Sequence, residues 1–250
     1  MLDKASFHFS LTFPGQIWKS VIESRQGSLI LELREKGSQD LGYASLDVAT
    51  GQWEHFSILE SSWWTSIYRL HYPVLLLEKY DDPQDPAKKS LIVYDLQRHQ
   101  LVRVLDQFQL VTIQENKLLG HLPGDPHAKV TFDLKGVSLV LDNLPEKELH
   151  FPAHYAPDSD SFRTVFEFLE LEPPEVGCEY LEWEEYIIIS YYIRLVRNFE
   201  RKLLVLKGDR EIYHQIQDED LSGFASEAFF IMDRFLIFIE KGNQVNAISV

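Results

Sequence analysis

Apolar and polar residues alternate over short stretches along most of the chain, a pattern typical of β-strands. The first such stretch is Phe7–Leu11, which ends before Pro14-Gly15. Stretches of strand length that are rich in apolar residues follow at Leu29–Leu33, Val74–Lys79 and Tyr186–Tyr192. Polar segments that contain glycine, proline or aspartate separate these runs and indicate turns. The pattern therefore predicts an all-β protein.

A strand–turn–strand phrase recurs along the chain, which indicates a repeat architecture. Its copies are Tyr43–Trp53, Leu91–Leu101, Val130–Val137 and a weaker one at Leu203–Ile212. The first two phrase aspartates are 48 residues apart, the next interval is 38, and the last, to Lys207, is 74. The last interval fits one unit with an insertion or two short units. A unit of about 40 residues with four strands has the period of a propeller blade.

The repeat stops between Asn143 and Gly177, where five prolines occur. Asp158-Ser-Asp160 is suited to the start of a helix. The apolar residues that follow have helical spacing; they are Phe162, Val165, Phe166 and Leu169. We therefore expect an insertion at 143–177 with a short helix near 158–170, although alternation within Thr164–Leu171 leaves a strand as an alternative.

The hairpin Leu46–Gln52, with Asp47, Thr50 and Gly51, resembles the aspartate … threonine-glycine hairpin of quinoprotein-like and related β-propeller blades. His99 and Gln100 stand where glycine is expected in the second copy, and Lys207 replaces the aspartate in the fourth. The whole chain also resembles a bacterial family of propeller-like proteins with no assigned function. The resemblance implies a β-propeller of about five four-stranded blades, and it implies no activity.

The two chain ends provide a way to close such a repeat. A propeller loses its exposed edge when both termini contribute strands to one blade. Phe7–Leu11 is the natural partner of Val245–Val250, because the last unit has only three clear strands. We expect one domain over residues 1–250.

Charge and cysteine content restrict the partners and the compartment. The chain has 24 Lys and Arg against 39 Asp and Glu, a net charge of −15, which disfavours binding to nucleic acid or to an anionic membrane. The single cysteine, Cys178, excludes an intrachain disulfide, and Met1–His8 has no apolar core of signal-peptide length. We expect a cytoplasmic protein, although a leader removed beforehand would give the same picture.

A histidine pair is the first candidate for site chemistry. His150 and His154 are four residues apart and could share one face, with a third zinc ligand from Asp158 or Asp160. Phe151 stands where zinc proteases have glutamate, and Pro152 separates the histidines. We therefore expect no metal and no cofactor.

Carboxylates and the thiol offer less specific chemistry. The Asp81–Asp85 loop lacks the alternating ligands and the glycine of a calcium loop. A glycan hydrolase with paired carboxylates is an alternative function; its acids would come from Glu78, Asp81, Glu179 and Glu182. Acidic neighbours disfavour a reactive Cys178.

Aromatic residues beside loops, with acidic residues nearby, suit a sugar or a peptide as ligand. Tyr80 precedes Asp81, and Tyr155 precedes Pro157, so both combine a ring with nearby polar groups. We expect a non-catalytic binding or scaffold protein for a small molecule, a glycan or a protein, with its site at one end of the propeller channel. The predicted ligand-binding residues are His150, His154, Tyr155, Asp158, Glu179, Tyr180, Tyr80 and Asp81. The insertion at 143–177 has an alternative, purely structural role, in which it only covers a gap between blades three and four.

Overall fold

A computed structural model of the chain describes residues 6–114, 116–122, 129–134, 146–221 and 228–250. These residues form strands and one helix, numbered in chain order. The strands before residue 140 are β1 (Phe7–Thr12), β2 (Gln16–Glu23), β3 (Ser28–Glu35), β4 (Asp40–Asp47), β5 (Trp53–Phe56), β6 (Thr65–His71), β7 (Val74–Tyr80), β8 (Lys89–Asp95), β9 (Gln100–Leu105), β10 (Gln109–Gln114), β11 (Lys117–His121) and β12 (Lys129–Asp133). The later elements are β13 (Leu149–His150), β14 (Ala153–Tyr155), α1 (Asp160–Phe168), β15 (Cys178–Trp183), β16 (Tyr186–Arg194), β17 (Phe199–Lys207), β18 (Arg210–Leu221), β19 (Phe229–Met232), β20 (Phe235–Glu240) and β21 (Gln244–Ser249).

The strands form five antiparallel sheets, so the predicted all-β class is confirmed. In strand order they are sheet I (β2-β3-β4-β5), sheet II (β6-β7-β8-β9), sheet III (β10-β11-β12), sheet IV (β14-β15-β16-β17-β18) and sheet V (β1-β21-β20-β19-β13). The chain divides into two compact units. The middle unit is Pro14–Glu146, and the terminal unit combines Met1–Phe13 with Lys147–Val250.

The Asp47 hairpin of the middle unit is held by its own side chains. Asp47 Oδ1 accepts hydrogen bonds from the Thr50 amide at 2.8 Å and the Thr50 hydroxyl at 2.9 Å. The Gly51 amide donates to the Asp47 carbonyl oxygen, and Gly51 has a φ of +69°, which glycine adopts without a steric cost. The aspartate, threonine and glycine are thus three parts of one turn.

The second copy of the strand–turn–strand phrase, which contains Asp95, forms the same turn without a glycine. Asp95 Oδ1 accepts a hydrogen bond from the Arg98 amide at 3.0 Å, as Asp47 does from Thr50. His99 takes the left-handed conformation with a φ of +50°. The departure from the glycine pattern therefore changes the residue and preserves the backbone.

Sheet II is buried on both faces within the middle unit. The side chains of Leu75 and Leu77 pack in one cluster with Ile30 and Tyr43 of sheet I. The alternate residues Val74 and Leu76 pack in a second cluster that includes residues of sheet III. Because both faces are covered there, the first four residues of β7 form a continuous apolar run in the sequence.

Sheet IV is likewise covered on both faces, by two different partners in the terminal unit. Ile188 and Val205 pack against sheet V residues such as Phe229 and Phe238. On the opposite face, residues of sheet IV pack against α1. The helix is therefore the outer layer on one side of sheet IV.

The predicted pairing of the two chain ends is confirmed. β1 pairs antiparallel with β21, with Phe7 opposite Ile248 and Leu11 opposite Val245. The Phe13 amide extends this contact by donating to the Asn243 carbonyl oxygen at 2.8 Å.

The insertion contributes more to the fold than the single helix that we expected. In addition to α1, it supplies β13 to sheet V and β14 to sheet IV, so these sheets have five strands rather than four. Sheet III has three described strands. Residues 135–137 of the third phrase copy lie outside the described residues, as do residues 143–145 of the insertion.

Among the described residues, no helix has the length and apolar character needed to cross a membrane.

Candidate functional site

The helix α1 begins where the sequence predicts a cap. Ser159 Oγ accepts a hydrogen bond from the Phe162 amide at 3.2 Å and donates one to the Ala156 carbonyl oxygen at 2.8 Å. Asp160 adds a negative charge in the first turn, where the helix dipole favours it. The helix ends at Phe168, and Glu170 then takes a left-handed φ of +54°. The predicted short helix is confirmed over nine residues.

One face of α1 is fixed to sheet IV. Phe162, Val165 and Phe166 are buried and have the spacing of one helical face. They pack against Cys178 and Tyr191 of sheet IV. This anchoring holds the neighbouring, more exposed residues of the helix beside the same face of sheet IV.

A groove of about 330 Å³ lies between α1 and the face of sheet IV at β14, β15 and β16. The helix lines it with Ser161, Thr164, Val165 and Phe168. The sheet lines it with Tyr155, Tyr180, Glu182 and Ile187. The volume is at the small end of the range of ligand pockets. Two of the residues that the sequence predicted, Tyr155 and Tyr180, lie here together.

The two tyrosines form a stacked pair on the sheet side of the groove. Tyr155 lies opposite Cys178 in the register of β14 and β15, so Tyr155 and Tyr180 project from the same face. Their ring centroids are 5.8 Å apart, and their planes are inclined by 24°. The Tyr180 hydroxyl donates a hydrogen bond to Glu182 Oε1. The arrangement presents two aromatic rings next to a carboxylate.

The electrostatics of the groove follow from Glu182. Burial raises the pKa of Tyr180, and the hydrogen bond and negative charge of Glu182 raise it further. Tyr180 therefore stays a neutral donor at physiological pH. Within the described part of the chain, no Lys, Arg or His forms an ion pair with Glu182. Among the described residues that line the groove, Glu182 is acidic and none is Lys, Arg or His.

Glu179 and His154 lie on the other face of the same strands. Glu179 follows Cys178 and precedes Tyr180 on β15, so its side chain points away from the groove. It is buried, and its Oε2 accepts a hydrogen bond from the Ala228 amide at 2.8 Å. His154 lies opposite Glu179, and its ring lies so close to Gly177 that a Cβ there would sit 2.4 Å from His154 Cε1. Neither residue is among the described residues that line the groove.

His150 and Asp158 are also separate from the groove. His150 is on β13 of sheet V, with Glu148 Oε1 at 3.2 Å from its Nε2 and the Trp183 ring at 6.0 Å. Asp158 is exposed and immediately precedes the helix cap Ser159. The predicted cluster of four insertion residues therefore contributes only Tyr155 to the groove lining.

Tyr80 and Asp81 belong to the middle unit. Asp81 Oδ2 accepts a hydrogen bond from the Ser90 hydroxyl at 2.7 Å, and the Asp81 amide donates to the Lys88 carbonyl oxygen. Lys89 Nζ lies 4.8 Å from the centre of the Tyr80 ring. These contacts stabilise the loop after β7. That Tyr80 and Asp81 share a concavity with the insertion stays a prediction.

Sequence reasoning missed the helix side of the groove and also a second concavity. Ser161, Thr164 and Phe168 alternate with the buried positions of the helix, so the amphipathic pattern of α1 was the signal that could have identified them.

The second concavity, of about 180 Å³, is a polar cleft in the middle unit that includes Arg25, His71 and Glu146. Burial lowers the pKa of His71, and the charges of Arg69 and Arg25 lower it further.

Cys178 is fully buried beneath the helix, and burial raises the pKa of its thiol to about 12, with a further contribution from Glu179. At about pH 8, roughly one native molecule in ten thousand would carry the reactive thiolate. We expect a disulfide reagent to modify the native protein very slowly and to modify one thiol rapidly after unfolding. Rapid native labelling would contradict this burial.

The raised pKa of the Cys178 thiol also makes the free energy of unfolding depend on pH. Because the folded-state pKa lies above the unfolded value of about 8.5, the stabilisation by the neutral buried thiol is complete below pH 8.5. It is lost as pH rises from there towards about 12. Cys178→Ala should flatten this part of the curve of unfolding free energy against pH.

The described residues contain no cluster of three or more His, Cys, Asp or Glu side chains that could hold a metal ion.

Residues 22–102 match the model of a family described as "Domain of unknown function (DUF4905)". The match begins in β2 and ends in β9, so it covers parts of sheets I and II and none of the groove residues. No curated protein matches the chain.

Proposed function

We propose that the protein is a non-catalytic binding protein whose small-molecule ligand lies in the groove between α1 and sheet IV. The observation that carries the proposal is the stacked pair of Tyr155 and Tyr180. The Tyr180 hydroxyl donates a hydrogen bond to Glu182. Ligand sites commonly combine aromatic walls with a few polar groups that fix orientation. Phe168 extends the apolar wall from the helix side and is 55% exposed, so its ring is accessible to a ligand.

Binding without catalysis is favoured by the state of the reactive groups. The pKa of Tyr180 and that of Cys178 are both raised by burial, which opposes the formation of a nucleophile near neutral pH. Cys178 is also fully buried. These groups suit a site that holds its ligand unchanged.

The glycan hydrolase is the weaker alternative. Such enzymes use two carboxylates that flank the bond to be cleaved, about 5–10 Å apart. Of the candidate acids Glu179 and Glu182, only Glu182 is among the described residues that line the groove. Glu179 projects from the opposite face of β15 and accepts a structural hydrogen bond.

We also propose that the fold is a propeller and that the protein is cytoplasmic. Five antiparallel sheets and the pairing of β1 with β21 support a propeller in which the termini share a blade. The single cysteine, which lies in the core, supports a cytoplasmic location. An experimentally determined structure tests the propeller, and localisation of a tagged chain tests the compartment.

A thermal-shift screen tests the binding function. We expect compounds that occupy the groove at about one hundred times their dissociation constant to raise the melting temperature by roughly 5–10 °C. This shift should disappear in Tyr155→Ala, which removes half of the stacked pair, and in Thr164→Trp, which fills the groove from the exposed side of α1. The second variant leaves the buried helix face intact.

Tyr68→Ala is the matched control, because Tyr68 is an exposed tyrosine of the middle unit. It should leave every ligand-induced shift unchanged. The proposal is wrong when no compound stabilises the protein, or when the shifts persist in both groove variants.

A further inference from the structure

The carboxylate of Glu182 lies in the groove and has no cationic partner among the described residues. Several carboxylates of the terminal unit have cationic neighbours, such as Glu175 with Arg194 at 3.0 Å and Glu185 with Lys207 at 3.0 Å. Glu182 has a tyrosine hydroxyl as its partner, and the described chain supplies it with no ion pair. A carboxylate in this position attracts a positive charge from a ligand.

The aromatic pair favours the same kind of ligand. The face of a tyrosine ring attracts a cation through the ring quadrupole. Donation from the Tyr180 hydroxyl to Glu182 places additional negative charge beside that ring. A positive group above the Tyr155–Tyr180 pair would meet the rings and the carboxylate together.

The remaining lining residues define the rest of the ligand. Val165, Phe168 and Ile187 are apolar, so a purely ionic ligand would leave their surfaces uncovered. The volume of about 330 Å³ corresponds to about ten water molecules. The dimensions fit a small molecule with one positive group and one compact apolar body.

We propose that the groove selects an organic cation, an ammonium or guanidinium group attached to an apolar body, with Glu182 and the tyrosine pair around the charge. This inference rests on the proposed function, because it assigns the ligand class of the same groove. A neutral sugar also stacks on aromatic rings, but it leaves the negative charge of Glu182 unbalanced.

A pair of probes of matched size tests the inference. Benzylammonium and benzyl alcohol differ mainly in charge, and methyl glucoside represents the neutral sugar. We expect benzylammonium to bind at least about tenfold more tightly than benzyl alcohol, the size of effect expected for a carboxylate and cation–π contact. Binding is measured by titration calorimetry, with the tyrosine ring signals in NMR as the reporter of location.

Glu182→Gln should reduce the affinity for benzylammonium to that for benzyl alcohol, since glutamine keeps an acceptor for Tyr180 and removes the charge. Glu184→Gln is the control. Glu184 is exposed in the turn between β15 and β16, and its replacement changes the net charge of the protein by the same amount. The control variant should retain the tenfold preference.

Other results overturn the cation assignment. Equal affinity for the two benzyl probes, equal losses in the two glutamine variants, or groove binding by methyl glucoside alone would each do so and leave the binding function standing. Failure of all three probes also overturns the assignment. The binding function itself fails only when the wider thermal-shift screen finds no groove ligand.

Discussion

Replacing Glu32 with alanine is expected to lower the free energy of unfolding by about 3–5 kcal/mol, the cost of breaking a buried ion pair. Glu32 is fully buried on β3, and Arg34 Nη2 lies 2.6 Å from its Oε1. Its other oxygen accepts hydrogen bonds from the Ser66 hydroxyl at 2.8 Å and the Ile67 amide at 2.7 Å. One carboxylate thus connects sheet I to β6 of sheet II.

Arg34 has further partners, and these contacts depend on the position in which Glu32 holds its guanidinium. Arg34 donates to the carbonyl oxygens of Trp63 at 3.0 Å and Thr65 at 2.8 Å. Its guanidinium also lies 4.8 Å from the ring centre of Trp18 and 5.2 Å from that of Trp63. Without Glu32, a buried charge and the Ile67 amide would lose their partner, which is why the expected cost exceeds that of a surface ion pair.

Urea unfolding monitored by tryptophan fluorescence measures this effect, because four of the five tryptophans lie in the middle unit. Glu35→Ala is the control at the exposed end of β3, with an expected change within about 0.5 kcal/mol. The double variant Glu32→Leu with Arg34→Met should be more stable than Glu32→Ala, since it removes both charges. A loss below about 1 kcal/mol in Glu32→Ala would show that the pair is not a main connection between these sheets.

Local patterns were sufficient to predict most of the strands, the Asp47 turn and α1, but not β13 and β14. An aspartate that accepts from an amide three residues later, followed by a glycine with positive φ, is a turn whose partners all lie within five residues. The helix is local in the same way, because Ser159 caps the Phe162 amide and the buried residues follow at helical spacing. Interactions of this kind can be inferred from the order of residues alone.

The groove could be predicted only in part, because its residues come together through strand register. Tyr155 and Tyr180 are 25 residues apart in the sequence, and only the pairing of Tyr155 with Cys178 brings their rings to one face. The same alternation sends Glu179 to the opposite face, although it is the neighbour of Tyr180. Closeness in sequence was therefore a poor guide to which polar residues share a concavity.

Glu32 shows the same limit for stability. In the sequence it is one charged residue in an apolar strand, a position usually interpreted as facing solvent. Its partners Ser66 and Ile67 are more than 30 residues away on a different sheet, so the pattern of β3 alone cannot reveal them. The burial of the carboxylate becomes understandable only when the packing of sheet I on sheet II is known.

Deleting residues 1–12 is expected to lower the melting temperature by about 5–10 °C or to cause aggregation, because the deletion exposes the edge of sheet V. β1 covers β21, whose residues Val245, Ala247 and Ile248 are almost completely buried. The deletion also removes Phe7, whose ring lies 5.8 Å from that of Tyr213. The exposed backbone of β21 could then pair with another copy of the chain.

A synthetic peptide with the sequence of residues 6–13 provides the decisive control. Added in excess to the shortened protein, it should pair with β21 and restore most of the melting temperature, since strand addition satisfies the free edge. A scrambled peptide of the same composition should have no effect, because it cannot place Leu11 opposite Val245. An unchanged melting curve after deletion would show that the C-terminal strands are stable without β1, and the closure of sheet V by the N-terminus would then have no role in stability.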